Sequence, residues 1–412
     1  MTAHATIRQG RIGLALILPL AMLTALDAMA IDMYLPGMPA IAAAFGVEPG
    51  QVQQTLAVFL IGLALGQGIY GPLLDRFGRR LPLLIGIAIF IAGSVMGALA
   101  PDLHWLLAAR FVQALGAAAG LVTPRAIVTD LCDLTASARA FSLLMQVMMV
   151  APIVAPIVGG HLLGLGDWRS IFWALAGCGV VALAWTFAVV PDSLAAERRV
   201  PLALRAVGRA YLAQLGNTVF TAYALAGGMA LASLFVYISG SAFVFTAGFG
   251  LDPTGFSHIF AANSVALVIG GALADQLLKR GVAARRILLA GLVAHAGVAL
   301  CLFATTLVAG LNLRVYMLLL ALAIGALGLV FGNLTALAMA AARGQAGVAS
   351  ALLGMLQYLV SALVGYLASL FAQGAAMLPL ALGLCGGAAI LATLVGRRVE
   401  RRAARPAPQA AR

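Results

Sequence analysis

Charged side chains are scarce in this 412-residue chain: 9% of its residues are Asp, Glu, Lys or Arg, against 63% hydrophobic. A water-soluble domain carries roughly 25% charged residues, so a soluble globule is excluded. Lysine is almost missing, with Lys279 the single one among 25 basic residues. Cysteine is sparse as well. Cys132, Cys178, Cys301 and Cys385 lie far apart, with no CxxC and no Cys/His spacing. Neither a metal site nor a disulfide is expected from them, and they read as small apolar filler. There is no GxxxxGK[ST] phosphate loop, which argues against ATP as the energy source, and the isolated histidines form no HExxH. No ten-residue alternation of apolar and polar residues points to a membrane barrel. Nothing clusters as catalytic groups do, so neither an enzyme nor a cofactor is expected.

What the chain does have is apolar runs, repeated from end to end, each near the ~20 residues that cross a bilayer core. A backbone in lipid must satisfy its own hydrogen bonds, so these runs read as helices. Gly, Pro and charges divide them into twelve spans, at 12–35, 52–73, 82–100, 103–126, 140–164, 169–190, 216–247, 255–277, 286–309, 313–340, 347–371 and 377–396. The expected fold class is all-α integral membrane, with twelve transmembrane helices in two pseudo-symmetric six-helix bundles. Residues 1–190 would form the first bundle, 191–215 a cytoplasmic linker, 216–396 the second bundle and 397–412 a basic cytoplasmic tail. Arg8, Arg11 and the later Ala28-Met29-Ala30 imitate a secretory leader. The run continues into further spans and carries Asp27, so it reads as an uncleaved first helix.

The net charge of +12 is unevenly placed. With the N-terminus in the cytoplasm and the spans alternating, every basic residue except Arg110, Arg125, Arg169 and Arg314 falls in a cytoplasmic segment. That is a strong positive-inside pattern, and it puts both termini in the cytoplasm. The outer turns carry Glu48, Asp102, Asp167 and Asp252 instead. The basic tail reads as a solvated segment beside acidic headgroups, not as a nucleic-acid binder.

One turn stands out. Gly71-Pro72-Leu73-Leu74-Asp75-Arg76-Phe77-Gly78-Arg79-Arg80 joins the second and third spans and packs four charges into six residues. A weaker copy, with Asp275 in the place of Asp75 and with Lys279, Arg280 and Gly281 after it, follows the eighth span. The repeat suggests two equivalent halves.

A charge at mid-bilayer costs about 2.5–3.5 kcal/mol on insertion scales, so buried charges need a reason. Asp27 and Asp32 lie in the first span, about 24 Å and about 31 Å along it from Arg11, and about 140° apart around it. Asp32 reads either as an interfacial cap before Pro36 or as a protonatable carboxyl. Asp27 reads either as a carboxyl tied to neighbouring backbone or as the same kind of proton site. Arg110 lies at a similar depth in the fourth span, where it could pair with the first, and Arg125 lies near that span's inner end, placed to snorkel. In the fifth span Pro152 and Pro156 remove two helix hydrogen bonds on one face, and Gly159 and Gly160 permit close helix approach. Gln67, Gln113, Gln146, Asn217, Asn263, His295, Asn333 and Gln357 read first as interhelical glue. Among polar, aromatic and Met positions, Tyr34, Phe59, Gln113, Met145, Met149, Phe235, Tyr237, Asn263, Asn333 and Gln357 are the candidates for a substrate cavity.

The turn from Gly71 to Arg80 closely resembles the loop 2–3 signature of major facilitator superfamily (MFS) transporters. Leu107 to Gly116, with Arg110 and Gln113 inside it, resembles their helix 4 motif, and Ala155-Pro156-Ile157-Val158-Gly159-Gly160 their helix 5 antiporter motif, with Ala155 where a glycine is usual. Ala30-Ile31-Asp32-Met33-Tyr34-Leu35-Pro36, Phe45-Gly46-Val47, Gln54-Thr55-Leu56 and Gly66 to Pro72 are similar to the bicyclomycin/chloramphenicol-resistance (Bcr/CflA) drug:proton antiporters. Those families carry Arg-Asp at the inner end of helix 4, where this chain has Thr129-Asp130. The resemblance implies a bacterial inner-membrane monomer with the MFS fold that exports small lipophilic drugs against protons. It needs no cofactor beyond the coupling proton. It also implies roles. Gly71, Asp75, Arg76, Gly78, Arg79, Arg80 and Asp275 would form the gating loops. Asp32, with Asp27 as rival, would carry the proton, and Arg110 would be its buried partner. The helix 5 residues would shape the bend. Export of a metabolite such as a sugar or amino acid, or a non-transporting receptor or enzyme, are the alternatives.

Overall fold

The structure, a computed structural model, describes residues 7–8, 11–12, 14–199, 204–342, 346–371 and 374–403. Arg343 and the tail beyond residue 403 lie outside the described residues. A two-residue antiparallel ladder pairs Ile7–Arg8 with Arg11–Ile12. The rest is helical: α1 Leu14–Asp32, α2 Met38–Phe45, α3 Pro49–Phe77, α4 Arg80–Ala98, α5 Leu103–Leu131, α6 Leu134–Leu165, α7 Arg169–Val189, α8 Leu204–Leu215, α9 Thr218–Phe243, α10 Pro253–Lys279, α11 Ala284–Val308, α12 Leu313–Ala341, α13 Ala346–Ser369 and α14 Met377–Ala403. Twelve stretches among the described residues are long and apolar enough to cross a membrane, the first running from α1 through α2.

The first span, expected over 12–35, runs on to Phe45 and is in two pieces. α1 ends at Asp32, a 3₁₀ turn covers Leu35–Gly37, and α2 resumes at Met38. Pro36 and Pro39 supply no backbone N–H, which removes two hydrogen bonds that a continuous helix would make there. Acidic residues at the opposite turns are largely helix caps. Asp102 accepts from the backbone N–H of Trp105, Asp252 from that of Gly255, and Glu48 makes a capping box with Gln51. Each satisfies an orphan donor of the following helix.

Six helix pairs recur in each half. α3–α5, α4–α5, α4–α7, α1–α5, α1–α6 and α1–α7 pack in the first; α10–α12, α11–α12, α11–α14, α9–α12, α9–α13 and α9–α14 pack in the second. This is an all-α membrane fold of two pseudo-symmetric six-helix halves. Small residues set the corresponding contacts. A β-carbon on Gly66 of α3 would strike Ala118 of α5, and one on Gly328 of α12 would strike the backbone of α10. Such residues let helix backbones approach where lipid offers no hydrophobic drive for association. The halves meet along α3–α13 and α6–α10, which are themselves exchanged by the pseudo-two-fold.

Candidate functional site

Arg79 is the hub of one end of the bundle. Its Nε donates to Asp130 at 2.8 Å and its Nη1 to Asp75 at 2.7 Å. Its backbone N–H donates to Asp192 at 2.8 Å. Ser193 donates to Asp130, and Arg199 pairs with Asp192 at 2.8 Å. Partial burial pushes the Arg79 guanidinium down, but Asp130 and Asp75 outweigh it and hold its pKa above the ordinary value. Three chain segments, α3–α4, the end of α5 and the start of the connector after α7, thus meet at one residue, the connector through its backbone N–H and the others through its side chain. Gly78 turns the chain at φ +85°, and a β-carbon there would collide with the Asp192 carboxylate. Asp130 takes the guanidinium although Thr129 stands where the resembling families have arginine.

Other members of this turn do different work. Arg80 donates to the Phe187 carbonyl at 2.6 Å and lies over that ring, while Arg76 is exposed 6.0 Å from the Phe77 ring. Gly71 lines the cavity described below. The repeat in the second half does not copy the latch. Asp275 pairs with Lys279 within one helical turn, both exposed. Across the second half Arg285 instead pairs with Glu400 at 2.6 Å.

Both carboxylates of α1 are buried at the seam between the halves. Asp27 lies in electrostatic reach of Arg125 on α5 and of Tyr358 on α13, and its Oδ1 has no hydrogen-bond partner among the described residues. Asp32 feels Asp27 and, across the seam, Tyr237 on α9. Asn263 donates to the Tyr237 hydroxyl at 3.0 Å, and Tyr237 stacks on Phe260.

The expected pairing of Arg110 with an α1 carboxylate is corrected by the structure. Among the described residues Arg110 makes no ion pair. Its Nη1 donates to the Ala30 carbonyl at 2.9 Å and to Gln113 at 2.6 Å. The guanidinium lies 4.6 Å from the Tyr34 ring and 4.2 Å from the Phe59 ring. A desolvated cation over an aromatic face gains about 2 kcal/mol, so two rings and a carbonyl take the place of a counter-ion. Gln113 passes the chain on to Ser94 at 2.9 Å, and Ser94 to the Phe90 carbonyl. α1, α3, α4 and α5 are tied through one buried arginine.

The prolines of the fifth span sit inside α6, which runs helical from residue 134 to 165. The Pro152 carbonyl accepts from Ser264 of α10 at 3.3 Å. A β-carbon on Gly159 would strike the Met33 carbonyl, and one on Gly160 the Ser257 hydroxyl. This motif therefore presses α6 against both the end of α1 and the opposite half.

A cavity of about 540 Å³ opens at the Arg79 end between α3, α5, α8 and α13. Gln67, Asp75, Arg79, Arg125, Thr129, Tyr211 and Ser350 supply its polar lining. None of the ten cavity candidates drawn from the sequence is among its lining residues. Tyr34, Phe59 and Gln113 are spent on Arg110. Phe235 packs edge-on against Tyr358, and Tyr237 and Asn263 bond to each other. Asn333 donates to its own helix at Leu329, and the Gln357 amide lies against Gly227. Met145 and Met149 are exposed on α6. By contrast, an apolar groove of about 490 Å³ between α1 and α6 has Gln146 as its one polar lining residue. Asp192, Ser193 and the α8 face bearing Val207 and Tyr211 were not singled out by sequence; Asp192 directly follows Pro191 at the end of a span, the one signal available.

Two six-helix halves, buried charges along their seam and a polar cavity between them define a membrane transporter. A Bacillus subtilis protein named Uncharacterized MFS-type transporter YdgK is 36% identical over 364 residues, 86% of this chain and 88% of that one. A Haemophilus influenzae bicyclomycin resistance protein homolog is 30% identical over 382 residues, covering 91% and 94%. In fold, the chain is similar to a D-xylose-proton symporter (TM-score 0.73, 17% identity, covering 93% and 96%) and to a bacterial homolog of the human lysosomal transporter Spinster (0.72, 17%, 95% and 98%). The Major Facilitator Superfamily model matches residues 20–365, and the chain belongs to that superfamily.

Proposed function

We propose that this protein is a drug:proton antiporter of a bacterial inner membrane, exporting small drug-like molecules by alternating access. The observation that carries the reading is the pair of buried carboxylates, Asp27 and Asp32, placed at the seam where each feels groups of the opposite half. A carboxyl at a moving seam can exchange a proton as its surroundings change. The relatives support the cargo class: one is named for bicyclomycin resistance, and a Vibrio parahaemolyticus protein named multidrug resistance protein MdtL is 27% identical over 336 residues. The positive-inside pattern supports a cytoplasmic Arg79 end with both termini on that side. The cavity then faces inward, and the protein works as a monomer. Asp32 takes up the proton from the outer side, and Asp27, next to the cavity-lining Arg125, delivers it inward. The polar lining also favours a second reading, export of an amino-acid-like metabolite by the same scaffold.

The test is cargo-triggered proton release from purified protein in detergent, with chloramphenicol and a lipophilic cation in the panel. Release is expected from wild type and is lost in Asp27→Asn. Asp32→Asn is expected to lose proton-driven uptake in inverted vesicles. Intact release and uptake in both variants would put the proton elsewhere and overturn the assignment.

A further inference from the structure

Two opposite charges, Arg125 in the cavity lining and the buried Asp27 behind it, feel each other without forming an ion pair among the described residues. Arg125 lines the cavity and is exposed to it. Among the described residues its guanidinium makes no ion pair, and only its backbone carbonyl is used, by Thr129. Asp27, 4% exposed, has one carboxylate oxygen with no partner. Tyr358 lies in reach of both. Gln67 lines the same cavity, and its amide nitrogen is buried and unpartnered. The remaining charges of the lining are already matched: Asp75 is bound by Arg79, whose other arm holds Asp130.

A buried carboxylate oxygen without a partner and, beside it, a cavity-lining guanidinium without an ion pair are costly in isolation. They become favourable together when a molecule presents a cation to one and an anion to the other, because charge-assisted hydrogen bonds are about twice as strong as neutral ones. We propose that Asp27 and Arg125, with Gln67 and Tyr358 beside them, form a recognition site for zwitterionic cargo. The ammonium of the cargo meets Asp27, and its acidic group meets Arg125. This rests on the reading of the cavity as the transport cavity, and it narrows the cargo from lipophilic compounds at large to amphoteric ones. It also gives exchange a physical basis, since an ammonium on Asp27 and a proton on Asp27 exclude each other.

The test is equilibrium binding to the purified full-length protein in detergent, with three probes. Norfloxacin carries both charges, nalidixate only the negative one and tetraphenylphosphonium only the positive one. Norfloxacin is expected to bind about tenfold or more tightly than either single-charge probe. Arg125→Gln is expected to abolish that advantage and weaken nalidixate, while leaving tetraphenylphosphonium within about threefold. Asp27→Asn is expected to do the reverse. Arg125→Lys, which keeps the charge without the planar fork, should restore part of the advantage. A merely structural role would weaken all probes alike, and that result overturns the proposal. So does equal binding of norfloxacin and either single-charge probe, or no binding of norfloxacin. Proton release measured in parallel separates this from the antiport reading. The predicted binding pattern without release overturns antiport and keeps the site. Release by probes indifferent to Asp27 and Arg125 does the opposite.

Discussion

The Asp192 carboxylate occupies the space where a β-carbon on Gly78 would stand, and Asp192 also accepts the backbone N–H of the next residue, Arg79. Gly78 is therefore required twice, for its positive φ and for its lack of a side chain. Gly78→Ala is expected to push Asp192 away and lower stability by about 1–3 kcal/mol, the usual cost of such backbone strain. A thermal melt of the purified protein checks it, and an unchanged midpoint would remove Gly78 from the latch.

The two acids on Arg79 are unequal. Asp130 is 18% exposed and Asp75 is 59% exposed. Exposed pairs give about 0.2–1 kcal/mol, whereas breaking a more buried pair costs more. Double-mutant cycles should therefore find stronger coupling for Arg79–Asp130 than for Arg79–Asp75. The reverse order would mean that solvent does not set their ranking.

The latch has a defined pH behaviour on its basic side. A base whose folded pKa is raised contributes stability that is fully present below its unfolded pKa and lost only as pH rises through the folded one. The ordinary arginine value is 12.5, and the Arg79 value lies above it. The Arg79 contribution should then be constant between about pH 7 and about pH 10. It is read as the difference in melting temperature between wild type and Arg79→Gln across that range, and a difference that shrinks within it would contradict the linkage.

Arg110 holds its place through planar geometry. Lysine at this position keeps the charge but not the flat guanidinium that lies between two rings while its Nη1 donates to a carbonyl and an amide oxygen. Arg110→Lys should destabilise by roughly 1.5–3 kcal/mol, the range for hydrogen bonds to charged groups. Stability in detergent equal to wild type would show that the cation alone suffices.

The cavity is open and the Arg110 network is closed. With the four native cysteines replaced by serine, Thr129→Cys should react rapidly with a water-soluble methanethiosulfonate, and Gln113→Cys should be protected. Equal labelling rates at the two positions would mean that the cavity is not the aqueous one.

The sequence made the membrane fold legible because twelve apolar runs and a one-sided arginine distribution are properties of composition along the chain. The Gly71–Arg80 turn was legible as charge in a place that should lack it. Its partner Asp192 was not, because its place after Pro191 at the end of a span does not reveal that it folds back over 113 residues to meet Arg79. Arg110 was found for the right reason, its burial, but given the wrong partner. Helical periodicity places a side chain at a depth and on a face; it does not show that Tyr34 and Phe59 are waiting there. The cavity was the least legible: Gln67, Asp75, Arg79 and Arg125 stood out as polar or charged residues but not as the lining of one space, and none of the ten cavity candidates lines it. Its polar lining comes from helix ends and from α8, where small or exposed residues such as Thr129 and Ser350 carry no signal, while the large aromatics that look like a binding wall are packed in the interior.

Three chain segments converge on Arg79, two through its side chain and the connector through its backbone N–H, so one residue ties this end of the first half together. A compound that competes for Asp130 has a single guanidinium to displace, and in doing so it loosens α5 from the α3–α4 turn, while Asp192 of the connector stays on the Arg79 backbone N–H. The same convergence makes that small polar crevice a place where an inhibitor could jam transport without resembling any cargo.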